Sequence, residues 1–229
     1  MAYVSTSPRR RVQIPSLSRA IMVGLLAVLA VVVWLVTQSG TPVVSQTRAV
    51  APFNAVELAG ANVVTVNVGA PQSVVVHARQ SELQLITTYV RAGTLVIANA
   101  PTRQPTKGPM SVSVTVPSMR SLTISGSGVV TLSGIRAPSL TVTIGGSGVV
   151  NASGTATRLS VSMPGSGYAE LGQLVARDVS ATVGGNGQIV VTATRSLDAS
   201  VPGTGVIRYT GNPAQLTTSV TGTGTIIPG

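Results

Sequence analysis

The sequence predicts an all-β chain: a parallel β-helix built from coils of about 19 residues, behind one N-terminal transmembrane helix. Three observations carry this. A Gly-x-Gly triplet recurs along the second half of the chain, apolar residues flank each triplet with period two, and an unbroken apolar run follows a cluster of arginines near the N-terminus. Composition agrees, because among 229 residues only 9% are charged, and Gly, Ser, Thr and Val suit stacked strands and tight turns.

Residues Ala20 to Val36 (AIMVGLLAVLAVVVWLV) carry no polar stripe of helical period, which separates them from a core helix, and their length reaches the lower edge of what crosses a bilayer. Trp34 suits an interfacial anchor. Arg9, Arg10, Arg11 and Arg19 precede the run and the next basic residue is Arg48, so the positive-inside rule places the N-terminus in the cytoplasm and the rest of the chain outside. A cleaved signal peptide would share this order of basic and apolar regions. The run exceeds the usual h-region, and Thr37-Gln38-Ser39-Gly40 is a poor cleavage site, so the reading is a signal-anchor over residues 20–37 behind a basic segment, residues 1–19. Arg9-Arg10-Arg11 resembles a twin-arginine signal, but Val12-Gln13 does not supply the apolar pair expected next.

Residues 38–51 read as a polar, aperiodic linker. A first β module follows over 52–109, with β-branched alternation in Phe53–Leu58, Asn62–Val68, Gln72–Ala78, Leu83–Val90 and Thr94–Ile97, and a proline-rich loop over 98–109. The second module, 110–229, holds the repeat: Gly126-Ser-Gly128, Gly146-Ser-Gly148, Gly165-Ser-Gly167, Gly185-Asn-Gly187, Gly203-Thr-Gly205 and Gly222-Thr-Gly224, spaced 20, 19, 20, 18 and 19 residues apart. So narrow a spread marks a solenoid, in which each coil buries its apolar side only by stacking on its neighbours.

Aligning the triplets yields four inward columns. Two residues before each triplet stand Ile124, Ile144, Met163, Val183, Val201 and Val220, and four residues after its first glycine stand Val130, Val150, Ala169, Ile189, Ile207 and Ile226. Leu140, Leu159, Val179, Leu197 and Leu216 form a third, and Leu132, Ala152, Leu171, Val191 and Tyr209 a fourth. Period two means strands. The glycines permit either a close approach or a positive φ, and the residues between them, from Ser127 to Thr223, read as a stacked polar ladder at the turn.

These motifs resemble the bacterial GIN-domain proteins, described as autotransporter adhesin heads, over roughly residues 48–229. The resemblance rests on Phe53-x-x-Val56-x-Leu58-x-Gly60 leading into Val64-x-Val66-x-Val68, and on Gly-Ser-Gly-x-Val followed by Leu-x-Gly, as in Gly126 to Gly134. It implies a right-handed β-helix outside the cytoplasm, behind a signal peptide or anchor, and brings no catalytic or ligand residues with it. Members often place Asp or another polar residue directly after the triplet. This chain has Val129, Val149, Tyr168, Gln188, Val206 and Thr225 there, all outward by alternation.

Two candidate surfaces follow. Val129, Val149 and Tyr168 on successive coils, with Val206 further along the same column, would form an apolar strip, either a partner surface or a ladder of side chains packing on each other. Arg136, Arg158, Arg177 and Arg195 recur at spacings of 22, 19 and 18, which would set a basic stripe near one corner, suited to carboxylates or phosphates of an anionic polymer or simply solvated.

The same composition argues against catalysis. With no cysteine there is no disulfide framework, thiolate metal site or cysteine nucleophile, and His77 lacks the neighbours of a triad or metal site. Glycoside hydrolysis needs paired carboxylates; only Asp178 and Asp198 come near each other, two positions out of step on adjacent coils, with Glu170 beyond the turn. We expect no enzyme activity, no cofactor and no metal. The formal charge is +10, and removing the four arginines before the anchor leaves eleven positive and five negative groups outside. Nucleic acid is an unsuitable partner there; an envelope polymer or surface protein fits better. The expected protein is therefore a membrane-anchored, extracytoplasmic, adhesin-head-like binding module. The alternatives are a structural envelope element without external ligand and, more remotely, a polysaccharide-active enzyme. The last coil, ending at Gly229, leaves a strand edge able to pair with a second copy, against which Pro228 acts.

Overall fold

A strand that sets Val, Ile and Leu on one side and Ser, Thr and Asn on the other can bury only one face, so strands of this composition need a partner layer. The computed structural model, which describes residues 42–101 and 110–229, shows how they find it. The anchor predicted over 20–37 and the basic segment before it lie outside the described residues, as does most of the proline-rich loop. Among the described residues no helix is long and apolar enough to cross a membrane.

Among the described residues, fifteen strands form one continuous sheet system. They are β1 (Val43–Thr47), β2 (Ala55–Leu58), β3 (Val63–Val68), β4 (Ser73–Arg79), β5 (Ile86–Arg91), β6 (Thr94–Asn99), β7 (Ser111–Val116), β8 (Ser121–Ile124), β9 (Val129–Ile144), β10 (Val149–Met163), β11 (Tyr168–Val183), β12 (Gln188–Val201), β13 (Val206–Thr210), β14 (Gln215–Val220) and β15 (Thr225–Pro228). The long strands β9 to β12 each turn a corner midway, so one strand serves two faces. On the first face the order is β1, β4, β7, β3, the early halves of β9 to β12, β13 and β15. On the second, β5, β6, β2, β8, the late halves of β9 to β12, and β14 follow one another.

From β3 and β2 onward the pairing is parallel, and its register reproduces the predicted columns. Val64, Val130, Val150, Ala169, Ile189 and Ile207 stack on the first face, each fully buried. Leu140, Leu159, Val179, Leu197 and Leu216 stack on the second. The fold is a parallel β-solenoid whose core is the space between the two faces.

The triplets make the turns from the second face back to the first, and close approach is what demands glycine. A Cβ on Gly146 would stand 2.1 Å from the carbonyl oxygen of Gly126 in the coil below, and one on Gly165 would stand 2.1 Å from that of Gly146. No triplet glycine has a positive φ; that conformation belongs to the opposite corner, at Gly134 and Gly154. In the polar ladder Thr204 donates a 2.9 Å hydrogen bond to Asn186. The turn stack begins one coil earlier than the repeat suggests. Gly60-Ala61-Asn62 lies beneath Gly126-Ser127-Gly128, since Cβ atoms on Gly126 and Gly128 would meet the carbonyl oxygens of Gly60 and Asn62. Asn62 is 1% exposed and exchanges two 3.1 Å amide hydrogen bonds with Asn99, which closes the stack at that end.

The structure corrects three expectations. Residues 43–47, predicted as linker, form β1, antiparallel to β4. As the outermost strand it is held by backbone hydrogen bonds, so little apolar pattern marks it. Leu83–Leu85, predicted as strand, is a 3-10 turn closed by hydrogen bonds from Glu82 N to Arg79 O and from Leu85 N to Glu82 O. Leu83 and Ile86 both reach the core, a spacing of three rather than two. The expected boundary between modules near residue 109 falls inside one sheet, because β7 pairs with both β3 and β4, and β2 pairs with β8. Val43–Gly229 forms one unit with its own core.

The two ends of the stack differ. Antiparallel strands β1, β4 and β5 flank the first coil. At the other end, Leu216 and Val220 continue buried columns yet stand 48% and 46% exposed.

Candidate functional site

With the apolar columns consumed by the core, function falls to the outward side chains. The strip predicted after the triplets is in register: Val63, Val129, Val149, Tyr168, Gln188, Val206 and Thr225 occupy one column of the first face. Val129, Val149, Tyr168 and Val206 are half-buried by their neighbours, and Gln188 interrupts the apolar run before Val206. The Tyr168 hydroxyl donates a 2.6 Å hydrogen bond to Glu170 two residues on. That bond, with partial burial and the carboxylate's charge, holds the phenol above its ordinary pKa of 10.0.

The predicted arginine stripe is not a simple row. Register sets Arg158 beside Ser139 and Asp178, with Ser196 next; Arg177 and Arg195 stand one residue before Asp178 and Ser196, and Arg136 pairs with Thr155, three positions from Arg158's column. Asp178 sits within this group. Arg195 donates to both its oxygens, Nε at 2.6 Å and Nη2 at 2.5 Å, and Ser196 Oγ adds a third bond at 2.7 Å. These bonds, the arginine's first, lower the carboxyl pKa from 3.8 to about 2. A carboxyl so held is ionised at neutral pH and offers no proton to a leaving group. Because the folded value is depressed, the favourable contribution is present above pH 3.8 and is lost as pH falls through about 2. A carbon-detected NMR titration should find the Asp178 midpoint near pH 2, and Arg195→Gln should move it up toward 3.8; an unmoved midpoint would exclude the arginine as cause.

Asp198 pairs in register with Ser180 and Thr217, so it stands two positions from Asp178, as predicted. His77 faces outward between two hydroxyls, Ser45 Oγ at 2.8 Å and Ser113 Oγ at 3.0 Å.

Unequal coil lengths create a feature that residue types alone do not reveal. Ala152 pairs with Leu132 and Gly154 with Ile135, so β9 spends one residue more than β10 at the corner. Asn151 pairs with Glu170 and Ser153 with Gln173, so β11 does the same. The short β10 corner lies recessed between two longer ones, leaving a notch of about 210 Å³ rimmed by Thr131, Asn151, Ser153, Glu170 and Gln173. Leu132 and Ala152, 1% and 4% exposed, lie beneath it with their side chains in the inward column.

Against known families, residues 52–213 match the one described as "Putative auto-transporter adhesin, head GIN domain". The chain belongs to the GIN-domain family. A search of curated proteins finds no match. Among solved structures, this GIN domain is similar to a putative adhesin of Bacteroides fragilis, with 23% identity, a TM-score of 0.65, and 82% of this chain and 97% of that one covered. That likeness shows the shared fold. Two proteins of Parabacteroides distasonis also match: a putative lipid binding protein (20% identity, TM-score 0.49) and a putative adhesin (18% identity, TM-score 0.46), each covering 83% of this chain and 98% of its own.

In this GIN domain the outward strip and Asp178 were readable from the repeat. The notch residues Thr131, Asn151, Ser153 and Gln173 were not, although the 20, 19, 20 spacing of the first triplets is its trace in the sequence.

Proposed function

We propose that the chain is a membrane-anchored, extracytoplasmic binding module that engages an envelope or surface polymer or protein through the outer faces of its solenoid, and that it is not an enzyme. The observation that carries this reading is the coil-on-coil register, which fixes outward side chains in columns on a rigid scaffold, within a family described as adhesin heads. The charge asymmetry around residues 20–36 supports the anchored, N-in topology. Engagement of Asp178 by Arg195 and Ser196 supports the absence of carboxylate-pair catalysis.

One observation favours a second reading, a structural envelope element without external ligand: Leu216 and Val220 on β14 expose apolar surface that continues buried columns. Co-sedimentation of the unit Val43–Gly229 with isolated cell envelopes across a salt series separates the two. Binding that fades with salt and with Arg158→Ser and Arg177→Ser identifies the basic group as the contact. Arg195→Ser should have the smaller effect, because that guanidinium already serves Asp178. No sedimentation at any salt would leave the structural reading. Protease added to spheroplasts should degrade the chain after Thr37; full protection there would overturn the topology.

A further inference from the structure

We propose that the notch between the corners of β9, β10 and β11 is a binding site for one ring of a neutral glycan. The proposal rests on the reading of the chain as a binding module and names the chemistry of what it holds.

The site has a fixed acceptor. Glu170 receives the Tyr168 hydroxyl on one carboxylate oxygen at 2.6 Å and the Gly172 amide on the other at 3.3 Å. The carboxylate is thereby oriented, while each oxygen keeps a lone pair for a ligand hydroxyl. Asn151 stands beside Glu170 in register and Gln173 beside Ser153, so two amides, each both donor and acceptor, flank the carboxylate on adjacent coils. Thr131 completes the rim from β9. The surface inside the notch is mostly apolar, with Leu132 and Ala152 beneath it turning their side chains to the core. A mostly apolar lining with donors and acceptors at its rim matches a pyranose ring, which presents C–H groups on its face and hydroxyls around its edge.

Charge narrows the class. Glu170 is the single ionised group on the rim, and the remaining rim side chains are amides and hydroxyls. A uronic acid or phosphorylated sugar would bring its negative charge against that carboxylate. A cationic ligand would meet one carboxylate already engaged by two donors, with Arg208 on the same outward column two coils away. An uncharged sugar meets neither obstacle. About 210 Å³ is smaller than the ~300–1,000 Å³ of drug-sized sites and accommodates one ring. So small a contact gives a dissociation constant on the order of 1 mM, and many copies on one surface would supply the avidity.

The test uses the full chain in detergent micelles, titrated with maltotriose, cellotriose and tri-N-acetylchitotriose, and with trigalacturonate as the charged comparator. Amide NMR shifts should saturate for at least one neutral trisaccharide at Asn151, Gly172 and Gln173, with trigalacturonate at least about ten-fold weaker. Glu170→Gln should weaken binding about ten-fold or more at an unchanged melting temperature. A single glycine inserted after Ala152 lengthens the recessed corner and should abolish binding by an independent route. Absence of saturable shifts at these amides up to about 20 mM of every neutral probe, equal binding of trigalacturonate, or wild-type affinity in Glu170→Gln would each overturn the proposal. Envelope co-sedimentation keeps the two readings apart. Wild-type sedimentation without trisaccharide binding removes the notch and leaves the binding module, whereas trisaccharide binding without sedimentation keeps the notch and removes the envelope as the surface it serves.

Discussion

Gly146→Ala should destabilise the solenoid by about 3 kcal/mol or more, while Gly145→Ala, one residue earlier, should change stability by no more than about 0.5 kcal/mol. The contrast comes from the turn stack. A Cβ on Gly146 would lie 2.1 Å from Gly126 O and 2.7 Å from Ser125 O, both backbone atoms, so no rotamer change relieves the clash. On Gly145 the nearest atom is Ile124 O at 3.8 Å, an ordinary contact. Relief at Gly146 requires the coils to separate, and with them the bonds that run coil to coil, such as Val149 N to Gly128 O at 3.0 Å. Urea denaturation followed by circular dichroism would measure both variants. Equal midpoints would refute close approach as the reason for the repeat.

Leu159→Ala should cost about 2–5 kcal/mol, the range for emptying a leucine site in a packed core. Leu159 is fully buried between Leu140 and Val179, with coils on both sides to hold the cavity open. Leu216→Ala removes the same atoms from the same column at its exposed end and should cost about 1 kcal/mol or less. Similar losses at the two positions would mean that Leu216 is covered in solution, most simply by another chain on the open coil.

The stacking of coils was legible because it requires the same residue at the same place many times. Ile124, Ile144, Met163 and Val183 repeat a demand for apolar volume, and the triplets repeat a demand for the absence of a side chain. The start of the solenoid was harder to read. Gly60-Ala61-Asn62 performs the same turn but meets the Asn99 amide on its outer side, where a side chain has room and a partner, so the second glycine is replaced. β1 carries Ser45, Gln46 and Thr47 because an edge strand needs hydrogen bonds more than burial. The notch was hidden for a different reason: it arises from a difference in length between coils, and columns built by aligning triplets remove that difference. The arginine spacing misled in a related way, since a near-period of 18 to 22 residues cannot resolve which side of a corner each side chain occupies.

The closed first coil and the parallel registers beyond it have a consequence for how such a chain changes over generations. Antiparallel strands β1, β4 and β5 fix one end, but the steps from β9 to β12 are all parallel and shift register only near the corner. A duplication of one whole coil there would meet matching neighbours above and below and leave either end as it was. A gain or loss of one residue would be absorbed at the corner, as β10 already illustrates. Inheritance can therefore alter the height of the stack and the contour of its corner independently, the first by recombination between repeats and the second by single codons.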